Sequence, residues 1–290
     1  MKWQKNPHIS NIFCCIKKTM STITVHGLSS ARHLEALLPQ RDEIDSVWVD
    51  ADGVLTEDFV VELARSFNIQ NLVMHPRSLC CVGGDILKRL DQVRVVELSA
   101  EGRQWARVEI TELMEGMRHV EAMSLGKLNI NMNYEETRIL FPRTLRAFNC
   151  ESDSVMQMPE NVHDLLTLPN LEKVNLMCIH QDFAQNMWAL ISRGRIRRVQ
   201  LAGQQVFMNH VCPRIEDMKV IGMLTREQLV NVPHVFPRLA ELIQEEEFWS
   251  PHFENLRDFF LLEPDVIPQL QQLTTFHMHP KTMVSSLYDL

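Results

Sequence analysis

Apolar residues recur along this chain in the order apolar-x-x-apolar-x-apolar, and the pattern returns at a nearly constant interval. The segments begin MSTITV at Met20, IDSVWV at Ile44, IQNLVM at Ile69, VRVVEL at Val93 and VEAMSL at Val120. They continue LRAFNC at Leu145, LEKVNL at Leu171, IRRVQL at Ile196, IEDMKV at Ile215, LAELIQ at Leu239, LRDFFL at Leu256 and LTTFHM at Leu273. Start-to-start steps are 24, 25, 24, 27, 25, 26 and 25 residues, then 19, 24, 17 and 17. The alternation within each segment predicts a short strand with one buried face. Helix-like stretches fill the intervals at 30–38, 56–67, 84–90, 107–117, 161–168, 182–194 and 225–232. Thr56 followed by Glu57 and Asp58 is a helix start, and Pro142, Pro169, Pro213, Pro237 and Pro251 fall where a helix must end.

One strand and one crossover per 25 or so residues resembles the leucine-rich repeat, over residues 20–283. The first three apolar positions of the family's L-x-x-L-x-L-x-x-N/C-x-L are met almost everywhere, LAELIQ carrying Gln244 at the third. The buried Asn or Cys slot instead holds Leu28, Asp52, Arg77, Glu101, Leu128, Asp153, Ile179, Gln204 and Met223. The last apolar slot is kept at Val54, Leu79, Ile130, Val155, Val206, Val266 and Met283. The longer repeats look most like the ribonuclease-inhibitor-like or F-box-associated class. That resemblance implies an α/β leucine-rich-repeat solenoid, a horseshoe with a parallel concave sheet and convex helices. It would hold about 11–12 repeats, with loops replacing helices at the 17-residue steps. Residues 1–19 are then an N-terminal extension or cap, 20–283 the solenoid, and 284–290 a C-terminal tail or cap. Each unit is too small to bury its own apolar stripe, so only stacking gives a continuous core.

With 290 residues and 45 % hydrophobic content, the chain can supply such a core. A net charge of −8 argues against a general nucleic-acid binder. The seven cysteines show no C-x-x-C spacing, and the sequence holds no N-x-S/T sequon, which suits the cytoplasm or nucleus. No apolar run approaches the roughly 18 residues of a membrane span. ISNIFCCI is too short for a signal peptide, and Cys14 and Cys15 beside Lys17 and Lys18 read as part of an extension rather than an acylation site.

The stretch VWVDADGVLT (47–56) resembles the nucleophile loop of haloacid-dehalogenase-type phosphatases, in which the first Asp attacks phosphorus and the second handles the leaving-group proton. Such an enzyme also needs a later Ser or Thr, a Lys and a distal acidic pair. Ser99 and Lys127 offer the first two, but the nearest acidic candidate, GGDILKRLD (83–91), precedes Ser99. The repeat accounts for every letter instead. Ile44, Val47 and Val49 are core, Asp52 takes the Asn slot, Gly53 turns the chain, Val54 takes the last apolar slot and Thr56 opens the helix. A repeat turn is expected, with no catalytic residue, metal or cofactor.

Function is then sought among the residues that alternate outward on the strands. The partner-binding set read from these rows is Trp48, Asp50, Val73, His75, Val95 and Glu97 toward the N-terminus, and Asn149, Asn175, Arg198 and Lys219 in the middle. Ile243, Phe260 and Leu262 form a second apolar cluster that serves either as a binding site or beneath a C-terminal cap. His26, Asp50 and His75 fall side by side on three strands, an order that suits ordinary polar surface better than a metal or hydrolytic site. The basic run RGRIRR (193–198) reads as a helix end and strand start on a solvated rim. The expectation is a monomeric, non-catalytic scaffold that binds a protein on its concave face. The alternative is the substrate-recognition part of an F-box-type ubiquitin ligase receptor, reaching a cullin-ligase adaptor through an F-box in a longer chain, since residues 1–19 are too few to hold one.

Overall fold

The computed structural model describes residues 15–19, 21–50, 52–75, 88–98, 107–108, 116–125, 129–130, 139–150, 159–176, 183–202, 206, 209–222, 224–245 and 275–278. The chain divides into two compact units, Met1–Leu145 and Arg146–Leu290.

In the N-terminal unit, β1 (Cys15–Thr19) pairs antiparallel with β2 (Thr22–His26). From β2 the ladder runs in parallel through β3 (Ser46–Val49), β4 (Asn71–Met74), β5 (Val95–Leu98) and β7 (Ala122–Leu125). Residues 1–19 were expected as an extension or cap, with no strand assigned to them. β1 covers the edge that β2 would otherwise present to other chains. A second two-stranded parallel sheet joins β6 (Arg107–Val108) to β8 (Asn129–Ile130). This corrects the start of the helix expected over 107–117, where β-branched Val108 favours extended backbone.

In the C-terminal unit, β9 (Ala147–Cys150), β10 (Lys173–Asn175), β11 (Arg198–Ala202), β12 (Asp217–Ile221), β13 (Glu241–Glu245) and β14 (Thr275–Met278) pair in parallel. β13 pairs directly with β14, Ile243 opposite His277. LRDFFL, where a strand was expected, lies outside the described residues.

Period-2 burial holds along the strands whose burial is described, except in β10, where Asn175 is buried beside Val174. Ile23 and Val25, Val47 and Val49, Leu72 and Met74, and Val96 and Leu98 are buried, as are Val199 and Leu201 in the second unit. The first apolar residue of each segment, from Ile44 to Leu239, is buried too. The crossovers supply the facing layer. α1 (Arg32–Glu35) is a single turn followed by a 3-10 helix, Leu38–Glu43, with Pro39 at its start, where a missing N–H is harmless. α2 (Glu57–Ser66) buries Phe59, Val60 and Leu63, and Thr56 caps it by accepting from the Phe59 N–H. In the second unit α3 (Pro159–Leu166) and α4 (Ala184–Arg193) follow β9 and β10. α5 (Arg226–Val235) opens on a capping box between Thr225 and Gln228 and continues through Pro233. The strand-and-crossover repeat makes the architecture an open α/β stack of the leucine-rich-repeat type.

Candidate binding surface

The DADG turn is built by packing. The Gly53 N–H donates to the Asp50 carbonyl at 2.8 Å, and the Asp50 N–H donates to the Val25 carbonyl at 3.1 Å. Gly53 is buried, and a Cβ there would lie 2.6 Å from the Val25 carbonyl oxygen and 2.7 Å from Val49 Cγ1. The glycine is required by this close approach. A positive φ occurs instead at Gly27 and Gly222, each one residue beyond a strand. Two slots differ from the sequence expectation. Asp52 is exposed rather than in a buried Asn position, and Leu55 is the buried apolar residue, whereas Val54 is half-buried and bridges Leu28. The tight turn at Gly53 advances the core slot by one residue. The Asp50 carboxylate reaches sideways to His26, with Oδ2 2.9 Å from Nδ1.

On the outward face of the first unit, Thr24, Trp48, Val73, Glu97 and Ser124 stand in one row across five strands. Ser46, Asn71, Val95 and Ala122 form the adjacent row. Trp48 remains 42 % exposed and Val95 40 % exposed, Val73 is half-buried, and Glu97 is exposed. His75 continues the Asp50 row, its N–H donating to the Val49 carbonyl at 3.0 Å, but its side chain is only 6 % exposed. It offers a partner little surface. Among the described residues no group of three His, Cys, Asp or Glu is arranged to hold a metal.

The outward face of the second unit has a different character. Asn149, Asn175, Gln200, Lys219, Ile243 and His277 form the corresponding row. Asn175 is buried, its Nδ2 donating to Asn149 Oδ1 across the ladder. Arg198 is exposed and pairs with Asp217 on the next strand. Lys219 and Ile243 are half-buried. Phe260 and Leu262 lie outside the described residues, as do Ser99 and Lys127.

Sequence reasoning missed a charge ladder at the residue after the first apolar position of the segments from Val93 to Ile215. Arg94 lies 3.7 Å from Glu121 in the first unit. In the second, Arg146 is 3.0 Å from Glu172, and Arg197 is 3.6 Å from Glu216. Backbone bonds fix the spacing, with the Glu172 N–H donating to the Arg146 carbonyl and the Glu216 N–H to the Arg197 carbonyl, each at 2.8 Å. The hydrogen bond from Arg146 holds the Glu172 carboxyl below its ordinary value, helped by the charges of Arg197 and Lys173. The signal was present as the alternation of Arg and Glu one residue into successive segments.

No family model matches this chain, and no curated protein matches it. Among solved structures, the leucine-rich repeat-containing protein LegL7 from Legionella pneumophila is similar over 87 % of this chain and 97 % of that one, at 10 % identity and a TM-score of 0.48. Among the described residues no helix is long and apolar enough to cross a membrane.

Proposed function

We propose that this chain is a protein-binding scaffold whose partner docks on the outward sheet face of the N-terminal unit. The observation that carries the reading is Trp48, an indole left 42 % exposed on a hydrogen-bonded strand, beside Val73 and near exposed Val95. An aromatic on a pre-ordered surface anchors a partner well, because little conformational entropy is lost on contact. Glu97, next along the row, makes no hydrogen bond or ion pair with the described residues and can select a basic group at the rim. Among the described residues the second unit's face is poorer in such anchors, since Asn149 engages Asn175 and Arg198 engages Asp217. Of the two carboxylates in the DADG turn, Asp50 pairs with His26 and Asp52 is exposed.

The test compares wild type with Trp48→Ala in affinity purification followed by mass spectrometry, with thermal unfolding as a check on the fold. The expected result is loss of the retained proteins at an unchanged melting temperature. Identical retained sets from the two chains would contradict the reading.

A further inference from the structure

A second surface lies at the edge of the C-terminal unit's sheet, where the strands begin. Arg195, Arg214 and Arg238 each stand one residue before the first buried apolar residue of their segments, Ile196, Ile215 and Leu239. These segments lead into β11, β12 and β13, which are consecutive in the sheet, so the three arginines stand at one repeat position, three residues ahead of each of three neighbouring strands. All three are exposed, and so is Arg193 at the end of α4.

Their charges are left uncompensated by the described residues. Arg193, Arg195 and Arg238 make no hydrogen bond or ion pair with them. Arg214 donates from Nη1 to the Gly194 carbonyl at 2.9 Å, a neutral acceptor that draws it toward the end of α4 where Arg193 sits. The neighbouring Arg197 and Arg198 differ, since each already faces a carboxylate, Glu216 and Asp217 respectively. The matching position in the first unit holds Glu43, Asn68, Gln92, His119 and Thr144, so the basic row belongs to the second unit.

We propose that the row Arg195–Arg214–Arg238, with Arg193, is a docking surface for an acidic, carboxylate-rich segment of a partner protein. It goes beyond the outward-face reading and rests on different residues. Charge complementarity selects the occupant. Four guanidinium groups without carboxylate partners line a chain of net charge −8, and screening over about 8–10 Å lets this local patch act despite the total. The planar, forked donors of arginine suit carboxylates two bonds at a time. Close by, Arg197 and Arg198 already form ion pairs with Glu216 and Asp217. A nucleic acid is the poorer fit, because its phosphate ladder would extend past this short row onto an acidic body.

Fluorescence anisotropy of a labelled oligo-glutamate peptide with the full chain tests the proposal, with an oligo-glutamine peptide and a single-stranded oligonucleotide as comparators. Oligo-glutamate is expected to bind, to weaken as salt rises, and to outcompete both comparators. The triple variant Arg195→Ala/Arg214→Ala/Arg238→Ala should weaken it about tenfold. Should loss of the Arg214 bond to Gly194 disturb the fold, Arg195→Ala/Arg238→Ala removes two of the uncompensated charges and no described hydrogen bond. Trp48→Ala should leave peptide binding unchanged, which separates this surface from the outward face. No binding of oligo-glutamate, equal binding by the folded variants, or tighter binding of the oligonucleotide would overturn the proposal.

Discussion

The backbone of Gly53 packs so closely beneath the carbonyl oxygen of Val25 that a Cβ on the glycine would stand 2.6 Å from it. The last letter of the DADG motif thus has a steric cause inside the repeat stack. Gly53→Ala should destabilise the chain by about 1–3 kcal/mol, because Val49 Cγ1 crowds the same space at 2.7 Å. Asp50→Asn should cost less than about 1 kcal/mol, since its pair with His26 is well exposed. Urea denaturation of the two variants checks the order, and a reversed order would mean that the carboxylate, not the glycine, holds the turn.

Trp188 and Phe236 are fully buried in the second unit, with ring centroids 5.4 Å apart and planes tilted by 54°. They join α4 to the end of α5, so neither crossover can shift alone. Trp188→Ala should lower stability by about 3–5 kcal/mol through lost burial and an unfilled cavity. A loss below about 1 kcal/mol in chemical denaturation would show that the crossovers are not packed as described.

Burial pushes the Cys212 thiol up to about 12 from an ordinary value of 9.0. The folded state therefore favours the protonated thiol. Its contribution to stability is fully present below pH 9 and is lost as pH rises from 9 toward 12. Native chain should leave Cys212 unmodified by iodoacetamide at pH 8, whereas unfolded chain is alkylated there. Peptide mapping checks this, and rapid labelling of native Cys212 would contradict its burial.

The sequence pattern carried the core because each strand repeats one physical requirement, two alternating apolar residues facing the crossover layer. Ile23 with Val25 and Val199 with Leu201 are buried as the alternation predicts. What escaped it depended on neighbours far along the chain. The pairing of Cys15–Thr19 with β2 needs an edge to cover, and nothing inside those five residues announces one. The shift of the buried slot from Val54 to Leu55 follows from the Gly53 contact. Among the outward residues, Trp48, Val95 and Glu97 are exposed, but His75 and Asn175 are buried. Alternation gives the side of the sheet on which a residue lies. It does not say how deeply neighbouring side chains cover it.

The measurement that bears most directly on the central claim is site-specific photocrosslinking from the two sides of the N-terminal unit. A photoreactive phenylalanine analogue replaces Val95, exposed beside the Trp48 row, and in a second chain replaces Glu57, exposed on α2. Both chains are then irradiated with the partner recovered by affinity purification. The account predicts a crosslinked product from position 95, abolished by Trp48→Ala, and none from position 57. Crosslinking from position 57 alone would place the partner on the helical side and contradict the account.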